Sequence, residues 1–454
     1  MDIDLQLSSI DIFIFILITF LTYIFVLWGN LRKKNNNTDS FIDTLLMGRR
    51  LTLPMFTVTL VATWYGGIFG VAKIAFESGL YNFFTQGFFW YLTYIIFAFF
   101  IADKIRTTDA ITLPDLVGIN FGQSAKKIAA VFNILNLLPI AYIISIGLFI
   151  NILFPLGQNL AMFLGLLFVL GYSLFGGFRS VVYSDLFQFI IMTSAVFIVC
   201  FLSIWEFGLD ELTKLPDSYF SFTGNSSLLE TFSWGLIALG TLVDPNFYQR
   251  CFAAKSPKTA RAGILLATLI WVIFDLSLTF GAMYARAHMP ELNSQGGYII
   301  YSTEILPVGL KGFFLAGICA TILSTLDSYL FLAGTTLSYD LFQSNHKILH
   351  QRIGMIIIAI LSYLLALFFD GDIKKVWKTI GGLSTSALLI PMLWSYISHK
   401  KMNHRTFIIS MCVGALSCVL WNICQANIPL KLDGIYVGII CSFMSIVLHK
   451  KITS

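Results

Sequence analysis

The chain has 454 residues, of which 57% are hydrophobic and only 12% charged, with a mean hydropathy of +0.81. This composition places it among polytopic membrane proteins before any residue is read. The net charge of +5 is not a nucleic-acid footprint, because the basic residues are spread through short loops, and the seven cysteines form no CxxC pair that would indicate a disulfide framework or a zinc site.

Apolar segments run at 9–30, 53–80, 82–102, 127–151, 158–175, 183–205, 231–249, 262–285, 307–336, 353–370, 377–398, 405–424 and 432–448. By the length rule they predict about thirteen transmembrane helices, an all-α polytopic protein in a single transmembrane unit over 1–454. The first segment follows Asp2 and Asp4 and no basic residue, so it reads as a retained helix and not as a signal peptide. Lys33–Ser40 is a polar linker, and the longest outer loops, 206–230 and 286–306, are too short for a catalytic domain. Of the 29 lysines and arginines, 21 fall in loops on one side, seven on the other, and Lys73 within a span. The positive-inside rule then sets the N-terminus outside and the C-terminus in the cytoplasm, with Gln249–Gly263 a cytoplasmic loop.

The second span carries Gly66 and Gly67 at its middle and Gly70 one turn later. Paired glycines weaken a helix and allow it to unwind, and unwound backbone at membrane depth either lines a cavity or is packed in protein. Close helix packing through Gly66 and Gly70 is the other reading. Lys73 lies two turns beyond Gly66, where it either reaches the solute or pairs with Glu77 at i+4. The seventh span has Gly235, Gly240 and Asp244-Pro245, and it too is expected to be interrupted. Gly66 and Gly240 stand 174 residues apart, so the five spans over 53–205 correspond to the five over 231–398. Two broken helices in corresponding positions point to an inverted-repeat carrier with its site at the midplane. Trp64, Tyr65 and Trp234 flank the two breaks, as gates or as packing.

Gly317–Phe342 is apolar, yet Thr321, Ser324, Thr325 and Ser328 share one helix face, with Asp327 at its edge. Neutral oxygens beside a carboxylate suit a small hard cation such as sodium; alternatively the hydroxyls bond only their own backbone or a neighbouring helix. Lys378 precedes the glycine pair Gly381-Gly382 and is either an outer-loop charge or a solute contact. No Walker loop, HExxH or GxSxG occurs, so ATP-driven transport and hydrolysis have no local support, and the protein is not expected to be an enzyme.

Three stretches carry a family resemblance: YSLFGGFRSVVYSDLFQ (172–188), QRCFAAKSPKTARAG (249–263) and Thr321–Phe342. In this order and at these span boundaries they resemble the sodium:solute symporter family over roughly residues 10–450. The resemblance implies a leucine-transporter-type fold, a five-plus-five inverted repeat with accessory helices at 9–30 and 405–448. It implies sodium as the coupling ion, held by the hydroxyls of Ser324 and Thr325 and by the carbonyls of Thr321, Ala62 and Tyr65. It places Asp185 below that ion on its inward path, where Asp185, Ser324, Asp327 and Ser328 match a second ion site present in some members. Asp327 stands where the family has a hydroxyl, and Asp185 has an alternative as a salt-bridge partner of Arg179.

The sequence thus predicts a sodium-driven symporter of a small organic solute in the cytoplasmic membrane. Proton coupling through Asp185 or Asp327, and a membrane-embedded solute sensor, are the alternatives. Gly66, Gly67, Lys73, Trp234 and Lys378 are the candidate solute contacts. The helix N-terminus beyond the first break, with Lys73 nearby, favours an anionic solute. The sequence does not fix the oligomeric state.

Overall fold

The computed structural model describes residues 5–31, 40–344, 348–397, 402–425 and 432–453. The linker 33–39 and the loop residues Arg32, Lys33, Lys34, Lys347, Lys400, Lys401 and Lys431 lie outside them. Among the described residues the chain is helical, with a single β-bridge between Leu51 and Ala254.

Nine helices among the described residues are long and apolar enough to cross a bilayer, and three shorter apolar ones occur at Leu53–Ala62, Gln158–Ser173 and Gly434–His449. Large apolar side chains such as Phe13, Phe20, Phe201, Trp205 and Leu420 stand exposed on the outside of the bundle. An outward surface of this kind is stable against lipid and not against water. The helix Leu310–Thr335 is the opposite case: its apolar window is wholly buried, and it packs against Ser9–Leu31 and Phe178–Phe207 at the centre of the protein.

Local chemistry explains the helix starts. Ser256 accepts the Thr259 N–H at 3.1 Å with Pro257 in the first turn, which starts the helix Pro257–His288. Ser227 and Glu230 form a reciprocal capping box ahead of Leu228–Gly235. The segment 123–153 bends at Leu138-Pro139, where proline removes a backbone donor.

Both expected interruptions are present. The helix Leu53–Ala62 stops, residues 63–67 are non-helical, and Ile68–Ser78 resumes. In the seventh span Leu228–Gly235 passes into a 3-10 turn, Leu236–Val243, and restarts at Pro245–Ala253. The Asp244 carboxylate caps that restart by accepting the N–H groups of Asn246 at 2.9 Å and Phe247 at 3.3 Å. Leu51 N–H donates to Ala253 O, and Lys255 N–H to Leu51 O, each at 2.9 Å. The start of the first broken helix is therefore fastened to the end of the second through a parallel bridge.

Three loop expectations are corrected. Residues 286–306 are not an open loop, because Gly297–Ile305 forms a helix whose Tyr298 and Tyr301 are buried. Lys126, assigned to an inner loop, is buried and pairs with Asp115 at 2.7 Å and Asp340 at 3.2 Å. Arg250, assigned to the same side, lies in the core. Sequence reasoning counted each as a surface charge because Asp340 and Asp185, which lie beside them in the core, are distant in the chain.

Candidate ion and solute site

The first break lies against the hydroxyl stripe of Leu310–Thr335. Ser324 Oγ stands 2.5 Å from the Ala62 carbonyl, in the last turn before the break. Thr325 Oγ1 contacts the Thr321 carbonyl at 3.1 Å, and Thr321 Oγ1 the Gly317 carbonyl at 2.7 Å. The Tyr65 carbonyl accepts the Ile68 N–H at 3.0 Å. Ser324, Thr325, Thr321 and Ala62 are all buried. The structure thus brings hydroxyl and carbonyl oxygens of two elements into one buried patch. Among the described residues no three His, Cys, Asp or Glu side chains form a metal cluster. A donor set of neutral oxygens fits a hard monovalent cation and not a transition metal.

Glycine makes this approach possible. A Cβ on Gly66 would stand 2.5 Å from Thr325 Cβ and 2.7 Å from Tyr142 Cδ1, and one on Gly67 would stand 2.4 Å from Trp377 Cζ2. Gly66→Ala should therefore push the break off the hydroxyl stripe. Overpacking of this kind costs about 1–3 kcal/mol, so stabilisation of the purified protein by sodium should need about tenfold more ion. Gly171→Ala, whose Cβ would meet only the Tyr23 hydroxyl at 3.5 Å, serves as the control and should behave as wild type in the same melting assay.

Beside this patch lies a charged cluster. Asp185 accepts a hydrogen bond from Thr59 Oγ1. The Arg250 guanidinium is 3.7 Å from Asp185, 3.1 Å from Thr59 Oγ1, 3.5 Å from Ser328 Oγ and 3.2 Å from Asn246 Oδ1. Both Arg250 and Asp185 are 0% exposed, so the pair has no solvent to share its charge with. Asp327 is buried next to Tyr172. Arg179 does not pair with Asp185; it bonds Asp43 at 2.8 Å. Arg250 and Asp275 are site residues that sequence reasoning missed. For Arg250 the available signal was its position one turn after Asn246, in a helix that is buried throughout.

On the other side of the break is a cavity in which the centre of a water molecule can sit within about 160 Å³. One water needs about 10–15 Å³ on that measure, so the space suits a small organic molecule. Trp64, Tyr65, Trp90, Trp234 and Trp377 supply aromatic walls, while Tyr142 and Tyr329 meet edge-on at 4.7 Å. Asp244 and Asp275 supply carboxylates. The hydroxyls of Tyr65 and Tyr91 both donate to Asp275.

Of the candidate solute contacts, Gly67 and Trp234 line this cavity, and Gly66 packs on Thr325 beside it. Lys73 and Lys378 are not in its wall. Glu77 accepts from Ser294 Oγ at 2.6 Å, and no Lys73–Glu77 ion pair forms. Lys378 pairs with Asp433 at 3.4 Å and stands 5.3 Å from the centre of the Trp234 ring. The basic wall expected for an anionic solute is absent from the lining.

A helical membrane bundle with two broken helices fastened to each other, an oxygen-lined patch at one break and an adjoining cavity defines a secondary carrier of the leucine-transporter type. The chain belongs to the sodium:solute symporter family, whose profile matches residues 45–414. It is 25% identical over 453 residues to the osmoregulated proline transporter of Bacillus subtilis, spanning 91% of this chain and 89% of that protein. It is 26% identical over 426 residues to the sodium/glucose cotransporter of Vibrio parahaemolyticus, spanning 82% and 77%. A substrate-bound, outward-open Na+-coupled sialic acid symporter superposes with a TM-score of 0.79 at 16% identity, covering 98% of this chain and 97% of that one. The fold is therefore that expected from the sequence. The protein is a multi-pass membrane transporter that uses sodium to drive symport of a small solute, and it is not an enzyme.

Proposed function

We propose that Ser324 and Thr325, with the carbonyls of Ala62, Tyr65 and Thr321, hold the coupling sodium, and that the cavity beside Tyr65 holds the solute. The observation that carries this is the 2.5 Å approach of Ser324 Oγ to Ala62 O across the break. Each oxygen comes from a different helix, so ion binding ties the two helices together. Tyr65 belongs to the break next to Gly66, which packs on Thr325, and its hydroxyl is bonded to Asp275 in the cavity wall.

In this reading 53–205 and 231–398 work as two halves that rock about the midplane, with 9–30 and 405–448 as accessory helices. Asp185, Asp327 and Ser328 frame the inward exit path and not a second ion site, because Arg250 already supplies a cation among them. An anionic solute, which the sequence favoured, has no lining cation to meet it. Uptake of labelled amino acids, sugars and carboxylates, with and without sodium, tests the reading. Uptake indifferent to sodium but abolished by a protonophore would overturn it.

The basic-residue bias supports a cytoplasmic-membrane location with the N-terminus outside and the C-terminus in the cytoplasm. Lys258 is exposed in the first turn of its helix. In a background without native cysteines, Lys258→Cys should resist an impermeant thiol reagent in intact cells and react in inverted vesicles. Labelling in intact cells would reverse the orientation.

A further inference from the structure

The chemistry of the cavity wall has a direction. Asp244 and Asp275 are buried carboxylates that line it, 7% and 2% exposed. Asp275 is bonded by two neutral tyrosine hydroxyls, and Asp244 by backbone N–H groups. Among the described residues neither has a lysine or arginine within ion-pair distance and none lines the cavity; Arg250, bonded to Asn246, is close enough to act on Asp244, whereas Asp275 has no cation beside it. Carboxylates held inside a membrane protein without a cation are costly and mark sites where a cation arrives. The remaining wall is rich in indole and phenol rings, whose faces attract cations. Lys374 and Lys378 lie 4.7 and 5.3 Å from the centre of the Trp234 ring, outside the lining. The Trp234 indole N–H is buried and has no hydrogen-bond partner. The lining is therefore acidic at Asp244 and Asp275, and at Trp234 it carries an unpartnered donor with two lysines behind the ring.

We propose that the transported solute carries a positively charged nitrogen, an ammonium held against Asp244 and Asp275 within the aromatic wall. This rests on the cavity being the solute site of the symporter. Two kinds of solute share this chemistry: simple organic cations, and zwitterions whose carboxylate lies toward Trp234. Tyr65 then links the solute's charge to the ion, since the residue that bonds Asp275 also borders the sodium ligands.

The test uses four probes on one small ring: pyrrolidine, proline, cyclopentanecarboxylate and cyclopentylmethanol. At neutral pH these present an ammonium alone, both charges, a carboxylate alone and no charge. Four tryptophans line the cavity, so binding to the purified full-length protein in saturating sodium is read from intrinsic fluorescence. The two ammonium probes should bind at least about tenfold tighter than the two without it. Proline tighter than pyrrolidine identifies a zwitterion carrier; the reverse identifies a cation carrier. Asp275→Asn should erase the ammonium preference, and a wild-type elution profile on size exclusion, with a cooperative melting transition, would show that the variant is folded. If that variant does not fold, Asp244→Asn serves in its place.

Tighter binding of cyclopentanecarboxylate or cyclopentylmethanol, or no response to either ammonium probe at tens of millimolar, would overturn the proposal. The symport reading fails separately. Ammonium probes that bind equally well without sodium would leave the solute class standing and remove the coupling, whereas sodium-dependent binding of only the neutral or anionic probes would do the opposite.

Discussion

Replacing Arg250 by methionine should leave little folded carrier in the membrane. The guanidinium is fully buried, and its removal strands the Asp185 carboxylate, itself 0% exposed, without a cation. Breaking a buried pair from one side costs about 3–5 kcal/mol, a large share of the roughly 5–15 kcal/mol that holds a typical domain together. The double variant Arg250→Met with Asp185→Asn removes both charges and should recover most of the folded protein, because a neutral pair of similar volume carries no stranded charge. Transport should not recover with it, since Asp185 lies on the proposed exit path. The amount of monodisperse protein after extraction in detergent, set beside sodium-driven uptake in vesicles, separates the two roles. Wild-type yield from the single Arg250→Met variant would show that the cluster holds no charge in need of balance.

Replacing Ser324 and Thr325 together by alanine should raise the sodium concentration for half-maximal uptake by about tenfold or more. Each hydroxyl lies where water cannot readily take its place, and loss of a buried polar partner costs about 1–3 kcal/mol. Ser324→Ala alone also leaves the Ala62 carbonyl, freed by the helix break, without the hydroxyl that meets it. Thr325→Ser keeps the oxygen and should be the mildest change. The yield of the double variant should stay near wild type, in contrast to Arg250→Met, because no buried charge is left unpaired. An unaltered sodium dependence in the double alanine variant would move the ion elsewhere.

Much of this architecture was legible in the chain because membranes allow few solutions. Apolar run lengths indicated the spans, Gly66-Gly67 and Asp244-Pro245 the two breaks, and the i, i+3, i+4, i+7 spacing from Thr321 to Ser328 the polar stripe. These signals are local and periodic, so they survive without knowledge of the fold. The charges were misread for the converse reason. Lys126, Arg179 and Arg250 were counted as loop cations, yet they pair with Asp340, Asp43 and Asp185, which lie 214, 136 and 65 residues away. Lys73 was drawn toward the solute by its spacing from Gly66, whereas the cavity opens on Gly67, Val71 and the facing helices. The tyrosine-bound Asp275 was invisible as a site residue because Tyr65, in the first break, and Tyr91, on another helix, lie 210 and 184 residues away in the chain.

The most direct measurement of the central claim is the reciprocity of ion and solute binding in one purified preparation. If sodium at the Ala62–Ser324 junction and solute at the Tyr65–Asp275 wall share a single break, each must tighten the other's binding by the same factor, whatever that factor is. Fluorescence titration of solute at zero and saturating sodium, and of sodium at zero and saturating solute, gives the two factors independently. The account predicts that they are equal, exceed one, and fall together toward one when Ser324 and Thr325 are replaced by alanine. Solute affinity that is the same with and without sodium in the wild-type protein would contradict it.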